Sequence, residues 1–445
     1  MNRKIHALLY SAVALFTAAI PMASAGVHTT PQQLATLKVL DLGTAKVLAV
    51  TGNPSLLAMK ERIEQARQQV RQEKAAWLPS LDAETSLTRE DNSTSSGGDD
   101  AYEAYKTSLI ATLTLFDGFN RTHALDSATQ GESVSFEEEK DARRLLLFNV
   151  AQSYYSLQSA AADIAIARSD RAYNARQLTE AEARHNVGAG SLSDVLNFKI
   201  QVNTASATLM DVEKTYAIAL TGLATLMGVE KTAFQEGMSL TPLQESGDWN
   251  NHTLVREELV RIALVHRPDL AQNHYVLEQT TSAIGIARAD YYPTVSLSGI
   301  VSGARNGSAA YDSDDQGNSI AITMAINLFA GGETRAKVAK AEATRREALY
   351  TLQDLRLTVR QEVSDALEEF KTALKQVALQ VETVTLTRQN RDLVEQEYRA
   401  GLTSVVQLNE AQNNLVSAQG NLVTARVTLH TAWETIQKVT ASNLI

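Results

Sequence analysis

Hydrophobic residues recur every three or four positions along a stretch without proline that runs from Asn120 to Val187. This spacing is typical of long helices that pack side by side. The residues of this seam are Leu147, Val150, Tyr154, Leu157, Ala161 and Ile164. After the turn at Gly188 a second seam follows, formed by Leu209, Val212, Tyr216, Ala219, Leu223 and Leu226. The pattern predicts a long antiparallel helical hairpin over residues 120–227, about 100 Å from end to end.

The same pattern returns 213 residues later, with its turn at Ala400-Gly401-Leu402, and predicts a second hairpin over residues 333–440. Upstream, two proline steps match at an offset of 214: Asn53-Pro54 with Arg267-Pro268, and Trp77-Leu78-Pro79 with Tyr291-Tyr292-Pro293. Two unrelated hairpins would share these features only by chance, so we interpret the chain as a duplicated half-domain. The expected segments are a first repeat (26–227), a connecting, equatorial segment (228–252), a second repeat (253–440) and a short tail (441–445).

Between the proline steps and the long hairpins, the spacing of apolar residues changes from the helical three or four positions to every second position. Apolar residues alternate with polar ones over residues 80–116 and again over 294–329, and each segment contains a polar loop with glycine. These segments predict two β-hairpins, with four strands of about ten residues in all. That length suits a tilted strand that spans a membrane. A soluble four-stranded sheet under a helical layer would show the same pattern.

Four strands alone could not lie in lipid, because the edges of an open sheet carry unpaired backbone N–H and C=O groups. Single-chain barrels begin at about eight strands, so other copies of the chain would have to complete the barrel, and three copies supply twelve strands. The predicted fold class is mainly α, with long helical hairpins in an α-barrel and four strands per chain in a shared membrane β-barrel. Aromatic residues mark the helix-side ends of the strands, where a membrane interface would lie. They are Trp77, Phe116, Phe119, Tyr291, Tyr292 and Phe329.

The first 25 residues have the form of a secretory signal peptide. Arg3 and Lys4 precede an apolar stretch, and Ala23-Ser24-Ala25 forms a small-residue cleavage site. The chain contains no cysteine, so we expect neither a disulfide framework nor the lipid anchor of a lipoprotein. The formal net charge of −10 disfavours a nucleic-acid partner.

The sequence shows no recognisable constellation of catalytic or metal-binding residues. The histidines lack HExxH spacing and cysteine partners, and the motifs GxSxG, GxxxxGK[ST] and GxGxxG are absent. We therefore expect no cofactor, no metal and no enzymatic activity. Two alternatives to a transport function are an outer-membrane enzyme and an exported structural coiled coil, such as an adhesin stalk. The stalk would show helical seams without the strand pattern.

Taken together, the duplicated motifs resemble those of the TolC-type trimeric outer-membrane channels over nearly all of the chain after residue 25. Besides the proline steps and the two turns, the resemblance rests on Leu115-Phe116-Asp117-Gly118 and Leu328-Phe329-Ala330-Gly331. It implies a homotrimer whose twelve-stranded barrel contacts outer-membrane lipid above a periplasmic α-barrel. It also implies a passive exit duct for drug efflux or type I secretion. The implied partners are a periplasmic adaptor (membrane fusion) protein and an inner-membrane pump or ABC exporter.

The resemblance assigns roles to residues at both hairpin turns. The turns would dock the adaptor, unless the glycines serve only to allow the reversal of the chain. The candidate contacts are Val187, Gly188, Ala400, Gly401 and Leu402.

The resemblance also places a gate where the return helices begin. Asp194 would be a latch that ties neighbouring helices together, with Asn197 on the same helix face one turn later. Gln407 and Glu410 would ring the constriction. Since Gln407 is neutral, three chains would supply three carboxylates rather than six, and cation preference should be moderate. In the alternative interpretation, Asp194 is simply an acidic residue favoured at a helix N-terminus.

Overall fold

The computed structural model describes residues 39–90, 102–234, 238–243, 254–308 and 310–444. The predicted signal peptide lies outside the described residues, as do the polar loop of the first β-hairpin and residues 235–237 and 244–252 of the connecting segment. The described chain is mainly helical and carries a four-stranded sheet, which confirms the predicted mainly α fold with four long strands per chain.

Within those ranges, eight α-helices correspond pairwise between the repeats. The first repeat contributes α1 (Leu42–Gly52), α2 (Pro54–Ala75), α3 (Asn120–Asn186) and α4 (Leu192–Leu226). The second contributes α5 (Arg256–His266), α6 (Pro268–Ala289), α7 (Glu333–Arg399) and α8 (Val405–Thr440). Helices α3 and α7 are each 67 residues long and begin 213 positions apart. The repeat in the sequence is therefore also a repeat in the structure.

The long strands form one antiparallel sheet in the order β2-β3-β5-β6. They are β2 (Ser80–Glu90), β3 (Tyr102–Asp117), β5 (Thr294–Asn306) and β6 (Gln316–Ala325). In β3, Ser108 is only 5% exposed whereas the adjacent Leu109 is 47% exposed. On this strand the polar face is thus the sheltered one, and the apolar face is turned outward.

Strand β6 ends earlier than the alternating pattern suggests. The pattern continues to Leu328, but pairing with β5 stops at Ala325. Beyond it, the side chain of Asn327 accepts a hydrogen bond from the backbone N–H of Phe329 at 3.1 Å. This local contact turns the chain out of the sheet two residues after the last pair.

The helices lie in a layer whose neighbours change along its length. Next to the sheet the order is α2-α3-α6-α7, which matches the strand order, and towards the turns it is α4-α3-α8-α7. Helices α3 and α7 are long enough to belong to both the part of the layer next to the sheet and the part towards the turns. Neighbouring helices run antiparallel throughout, because α3 and α7 run away from the sheet while α2, α4, α6 and α8 run towards it. No helix in the described ranges is long and apolar enough to cross a membrane.

Two apolar clusters hold the middle of the layer, one for each repeat. In the first, Val150, Tyr154 and Leu157 of α3 pack against α1 and α4. In the second, Val363 and Phe370 of α7 pack against α5 and α8. The seams read from the sequence therefore form the cores, and the short helices α1 and α5 cover them.

A short parallel strand pair joins the first repeat to the connecting segment. Strand β1 (Val39–Leu40) pairs with β4 (Ser239–Leu240). The hydroxyl of Tyr154 donates to the carbonyl oxygen of Leu40 at 2.9 Å, and the amide of Gln158 donates to that of Thr241 at 2.6 Å. No sequence pattern indicates this pair, because strands of two residues are too short to show a period.

Candidate gate, docking tips and membrane interface

The two hairpin turns have the same backbone geometry. Gly188 and Gly401 have φ angles of 73° and 75°. One residue later, the N–H of Ala189 donates to Arg184 O at 2.8 Å and that of Leu402 donates to Glu397 O at 2.9 Å. These are the closing hydrogen bonds of a glycine-terminated helix. A Cβ on either glycine would meet no atom within 4 Å, so glycine is required by the φ angle and not by crowding.

Apolar side chains project into solvent at both turns. Val187 is 78% exposed and Leu402 is 80% exposed, and Leu192 and Val406 at the start of the return helices are more than half exposed. Exposed apolar residues clustered at the end of a long hairpin are typical of a protein contact surface. The predicted docking residues thus lie together in the fold at the end of the helical layer.

Asp194 lies between the two hairpins. Its Oδ2 accepts a hydrogen bond from the hydroxyl of Tyr398, at the end of α7, at 3.1 Å. Below this bond, the rings of Phe198 and Tyr398 pack edge to face with centroids 6.1 Å apart. The guanidinium of Arg184 lies 5.2 Å from the centre of the Tyr398 ring. Tyr398 therefore connects the tip of the second repeat to both helices of the first.

The protonation of Tyr398 favours this contact. Burial, the charge of Asp194 and the hydrogen bond to it together raise the pKa of Tyr398 to about 12, although Arg184 opposes the effect. The hydroxyl consequently keeps its proton at physiological pH and remains a donor to the carboxylate of Asp194.

The other predicted gate residues differ in their surroundings. The Oδ1 of Asn197 accepts from the amide of Asn409 at 2.5 Å, which adds a second polar contact between the return helices. Gln407 forms a capping box with Ser404 at the start of α8, so its side chain contacts its own helix end. Glu410 is exposed. The first-repeat residues thus join the two hairpins, while Gln407 and Glu410 do not.

Polar contacts continue between the repeats above the tips. Asp170 Oδ1 accepts from the amides of Gln412 at 2.8 Å and Asn174 at 3.2 Å. The amide of Gln177 donates to Glu395 at 3.1 Å. Burial raises the pKa of Asp170, and the two amide hydrogen bonds partly offset this. Each of these bonds has a carboxylate as its acceptor, for which the net contribution to stability is about 1.5–3 kcal/mol.

The predicted interfacial aromatic residues all lie where strands meet helices. Phe116 and Phe119 pack edge to face with centroids 5.4 Å apart, and Phe119 and Tyr292 do so at 6.3 Å. The guanidinium of Arg121 lies 4.5 Å from the centre of the Trp77 ring. Tyr291 and Phe329 are exposed, by 54% and 87%. The six rings therefore occupy one level of the molecule.

The sequence reasoning missed Tyr398, Arg184 and Asn409. The duplication contained a signal that could have found the first of them. The two turn glycines lie side by side once the hairpins are paired, and Tyr398 precedes its glycine by three residues while Asp194 follows the other by six. Both therefore lie about one to two helical turns from the tip.

In the part of the chain that the structure describes, no group of three or more histidine, cysteine, aspartate or glutamate side chains could hold a metal ion. The profile of the family described as "Outer membrane efflux protein" matches residues 47–229 and 259–442, one match for each repeat. The chain belongs to the outer membrane efflux protein family.

Named relatives of this family cover most of the chain. The "Solvent efflux pump outer membrane protein SrpC" of Pseudomonas putida is 26% identical over 384 residues, which are 83% of this chain and 78% of that protein. "Outer membrane protein OprJ" of Pseudomonas aeruginosa is 24% identical over 376 residues, 82% of this chain and 77% of the relative. Membership of the efflux protein family confirms the predicted resemblance and the expectation that the chain is not an enzyme.

A solved structure shows that the fold is shared as well. The crystal structure of the Campylobacter jejuni CmeC outer membrane channel superimposes with a TM-score of 0.79 at 18% identity. The match covers 91% of this chain and 88% of CmeC. At this identity the likeness concerns the fold, and roles of individual residues have to be argued from their own contacts.

Proposed function

We propose that three copies of this outer membrane efflux protein close a passive duct through the outer membrane and the periplasm, with a gate at the hairpin tips. The observation that carries the proposal is a pair of open edges on the single chain. On the sheet, β2 pairs only with β3 and β6 only with β5. The remaining sides of these two strands carry backbone groups that need partners in lipid.

The exposed side chains along the same edges are apolar. In β6, Ile320, Ile322 and Met324 are between 66% and 84% exposed. On α7, Leu379, Leu386 and Leu393 are more than half exposed and follow one another at seven-residue intervals. A seven-residue repeat of leucine on an open helix face is the seam of a helix that packs against another. Helix α4, which meets α7 of the same chain at the tip through Asp194 and Tyr398, also exposes Leu196 and Ile200 by more than half.

The chain directions make ring closure possible at every level. The strands, the helices next to the sheet and the helices towards the turns form three levels. In each level the four members of one copy alternate in direction. An even number ensures that the last member of one copy runs antiparallel to the first member of the next. Three copies then give a twelve-stranded barrel continuous with a twelve-helix layer, and the sheltered polar face of the sheet lines the duct.

The gate follows from the contacts between the hairpins. The bond from Tyr398 to Asp194 holds the second-repeat tip against the first, together with the buried apolar contact between Phe198 and Tyr398 beside it. An adaptor protein that binds the apolar residues at the turns, such as Val187 and Leu402, would pull on this contact directly. Because named relatives are parts of efflux pumps, we propose drug or solvent efflux rather than protein secretion, with an inner-membrane pump as the third partner.

Single-channel recording of the purified protein in planar bilayers tests the proposal. The wild type should form trimers with a small resting conductance. Tyr398→Phe, which removes only the hydroxyl, and Asp194→Ala should both raise the open probability. Glu410→Gln should instead lower cation selectivity without opening the channel.

Two results would contradict this function. A folded monomer in detergent, seen by native mass spectrometry, would exclude the shared barrel. A trimer in which Tyr398→Phe and Asp194→Ala both conduct like the wild type would place the gate at other residues. Deletion of the gene should sensitise cells to apolar drugs, and the Glu410→Gln gene should restore resistance.

A further inference from the structure

A cleft of about 650 Å³ opens just below the sheet, across the surface of α6. Helix α6 forms its floor, and the start of α3 and the first third of α7 form its walls. A volume of this size is typical of sites for small molecules or headgroups. Its lining combines an aromatic rim with basic side chains.

The rim shows on which side of the layer the cleft opens. Phe116 is in register with Val295 on the apolar, outward face of the sheet. Phe116 contacts Phe119, and Phe119 contacts Tyr292. Both Phe119 and Tyr292 line the cleft and are half exposed. The cleft is therefore continuous with the outward apolar face and lies directly beneath its aromatic border.

The charges in the cleft are unbalanced. It is lined by three arginines, Arg288, Arg345 and Arg346, but by only one acidic residue, Glu342. Glu342 pairs with Arg288 at 3.1 Å. This leaves two positive charges uncompensated, in a chain whose formal net charge is −10.

The two uncompensated arginines have donors to spare. Arg345 uses its Nε to donate to the hydroxyl of Thr281 at 3.0 Å, which orients the side chain across the cleft. Arg346 forms no ion pair or side-chain hydrogen bond with any residue that the structure describes. The ring of His123 packs against Gly285, where a Cβ would come within 2.4 Å of it, and adds a further polar group to the wall.

The helix directions bring these side chains together. Side chains lean towards the N-terminus of their own helix. Helix α7 runs away from the sheet, so Arg345 and Arg346 lean towards the membrane side. Helix α6 runs towards the sheet, so Arg288 leans away from it. Arg288 lies four residues before Tyr292, and Arg345 meets α6 at Thr281, two helical turns or about 10 Å farther from the sheet.

A second cleft on the opposite side of the same junction has the reverse character. It measures about 530 Å³ and is lined by Thr294 and Ala325, a pair on the polar face of the sheet. Its charged lining consists of three carboxylates, Asp117, Asp290 and Glu333, and one lysine, Lys337, which pairs with Asp290 at 2.9 Å. An anion is therefore favoured on the outward side of the junction and disfavoured on the inward side.

We infer that the outward cleft binds the phosphate headgroup of a glycerophospholipid of the periplasmic leaflet, held by Arg345 and Arg346 beneath the aromatic rim. Guanidinium groups bind phosphate oxygens through paired hydrogen bonds, and aromatic residues favour the same depth of a membrane. The inference rests on the proposed placement of the sheet in the outer membrane. It adds a bound lipid at a defined site of each copy.

Native mass spectrometry of the purified protein tests the site, with phosphatidylglycerol as the probe. After delipidation and titration with the lipid, the wild type should retain one lipid per chain. The double variant Arg345→Gln/Arg346→Gln should bind it about 30-fold more weakly, as expected for two basic contacts at a membrane surface. The matched control is Arg356→Gln/Arg360→Gln, two exposed arginines of the same helix away from the cleft, and it should bind like the wild type.

Competition with inorganic phosphate distinguishes a lipid from a soluble anion. Phosphate at millimolar concentration should not displace the lipid, because the acyl chains and the aromatic rim contribute to its binding. Equal retention by the cleft variant and the wild type would overturn the inference, and so would displacement by phosphate alone. If the cleft variant still forms a trimer with wild-type conductance, either result would refute the lipid site and leave the proposed channel function intact.

Discussion

The two repeats make corresponding contacts with different chemistry, most clearly at the residue before the proline that starts α2 or α6. In the first repeat this residue is Asn53, whose amide donates to Leu226 O at 2.8 Å while its Oδ1 accepts from two backbone N–H groups of α2. In the second it is Arg267, which is 4% exposed and forms ion pairs with Asp269 and Glu362. A neutral cap and a buried ionic cluster thus occupy the same place.

A second contact farther along the helices also differs in chemistry between the repeats. Arg67 of α2 forms an ion pair with Glu132 of α3 at 3.2 Å. At the corresponding contact of the second repeat, Thr281 of α6 accepts a hydrogen bond from Arg345 of α7. The first repeat uses its arginine to neutralise a carboxylate, whereas the second leaves an arginine available in the outward cleft.

The predicted gate residues also differ in chemistry between the two repeats. Asp194 corresponds to Gln407 at the offset of 213, and Asn197 corresponds to Glu410. The first-repeat residues bond across to the other hairpin, while the second-repeat residues contact their own helix or solvent. The two repeats therefore share the backbone arrangement of their helices, whereas the side chains at corresponding positions make different contacts.

The largest expected difference in stability is between variants at the two proline steps. Arg267→Ala should lower the free energy of unfolding by about 3–5 kcal/mol, because it removes the close partner of Asp269, which is 16% exposed and keeps only Arg144 at 3.8 Å. Asn53→Ala should cost about 1–2 kcal/mol, the value of a lost helix cap. Urea unfolding of the helical domain, followed by circular dichroism, measures both. Equal losses in the two variants would mean that the ionic cluster is no more important than the cap.

A second pair of variants compares the ends of the return helices. Gly228 and Ala441 occupy corresponding positions, with φ angles of 71° and 57°. A Cβ on Gly228 would lie 2.1 Å from Gly52 O, so Gly228→Ala should cost about 2–4 kcal/mol through the clash and the positive φ. Ala441→Gly should change stability by less than about 1 kcal/mol, because relief of strain offsets the lost methyl contacts. A larger loss in Ala441→Gly than in Gly228→Ala would contradict this account.

The two tips should respond alike to the same change. Gly188→Ala and Gly401→Ala should each cost about 1 kcal/mol, since the strain of a positive φ is the only penalty at either turn. Thermal melting of the helical domain gives the two values. If export is unchanged in Gly401→Ala while the fold is intact, the glycine itself makes no essential contact with an adaptor. A loss of export without a loss of stability would assign it a docking role.

The smallest expected effect is the pH dependence of the second junction. Burial alone would raise the pKa of Asp269, but Arg267, with smaller help from Arg144 and the backbone N–H of Leu270, outweighs it and lowers the pKa. A carboxyl whose pKa is lowered on folding stabilises the protein above its unfolded pKa and loses that contribution as the pH falls through the folded value. Wild-type stability should therefore decline below about pH 4, and Arg267→Ala should show a weaker decline. The amide of Asn53 does not titrate, so Asn53→Ala should follow the wild-type curve, displaced by a constant amount.

The sequence by itself determined the duplication, the two long hairpins and the four strands, because each rests on a period that many residues repeat. A seam such as that from Leu147 to Ile164 specifies a helix and its buried face without knowledge of any partner. The glycines at the turns and the prolines at the junctions are equally local, since they act through the backbone of their own residue.

Only the tertiary structure decided which side chains meet across the repeats. Tyr398 and Asp194 are separated by 204 residues in the chain, and no periodicity links a tyrosine in one seam to an aspartate at the start of another helix. The early end of β6 and the outward cleft were likewise decided by the tertiary structure. The arginines of α7 become part of a cleft only because α6 packs beside them. Contacts of this kind depend on the lateral order and the relative height of helices, which packing sets and which the pattern along a single helix does not contain.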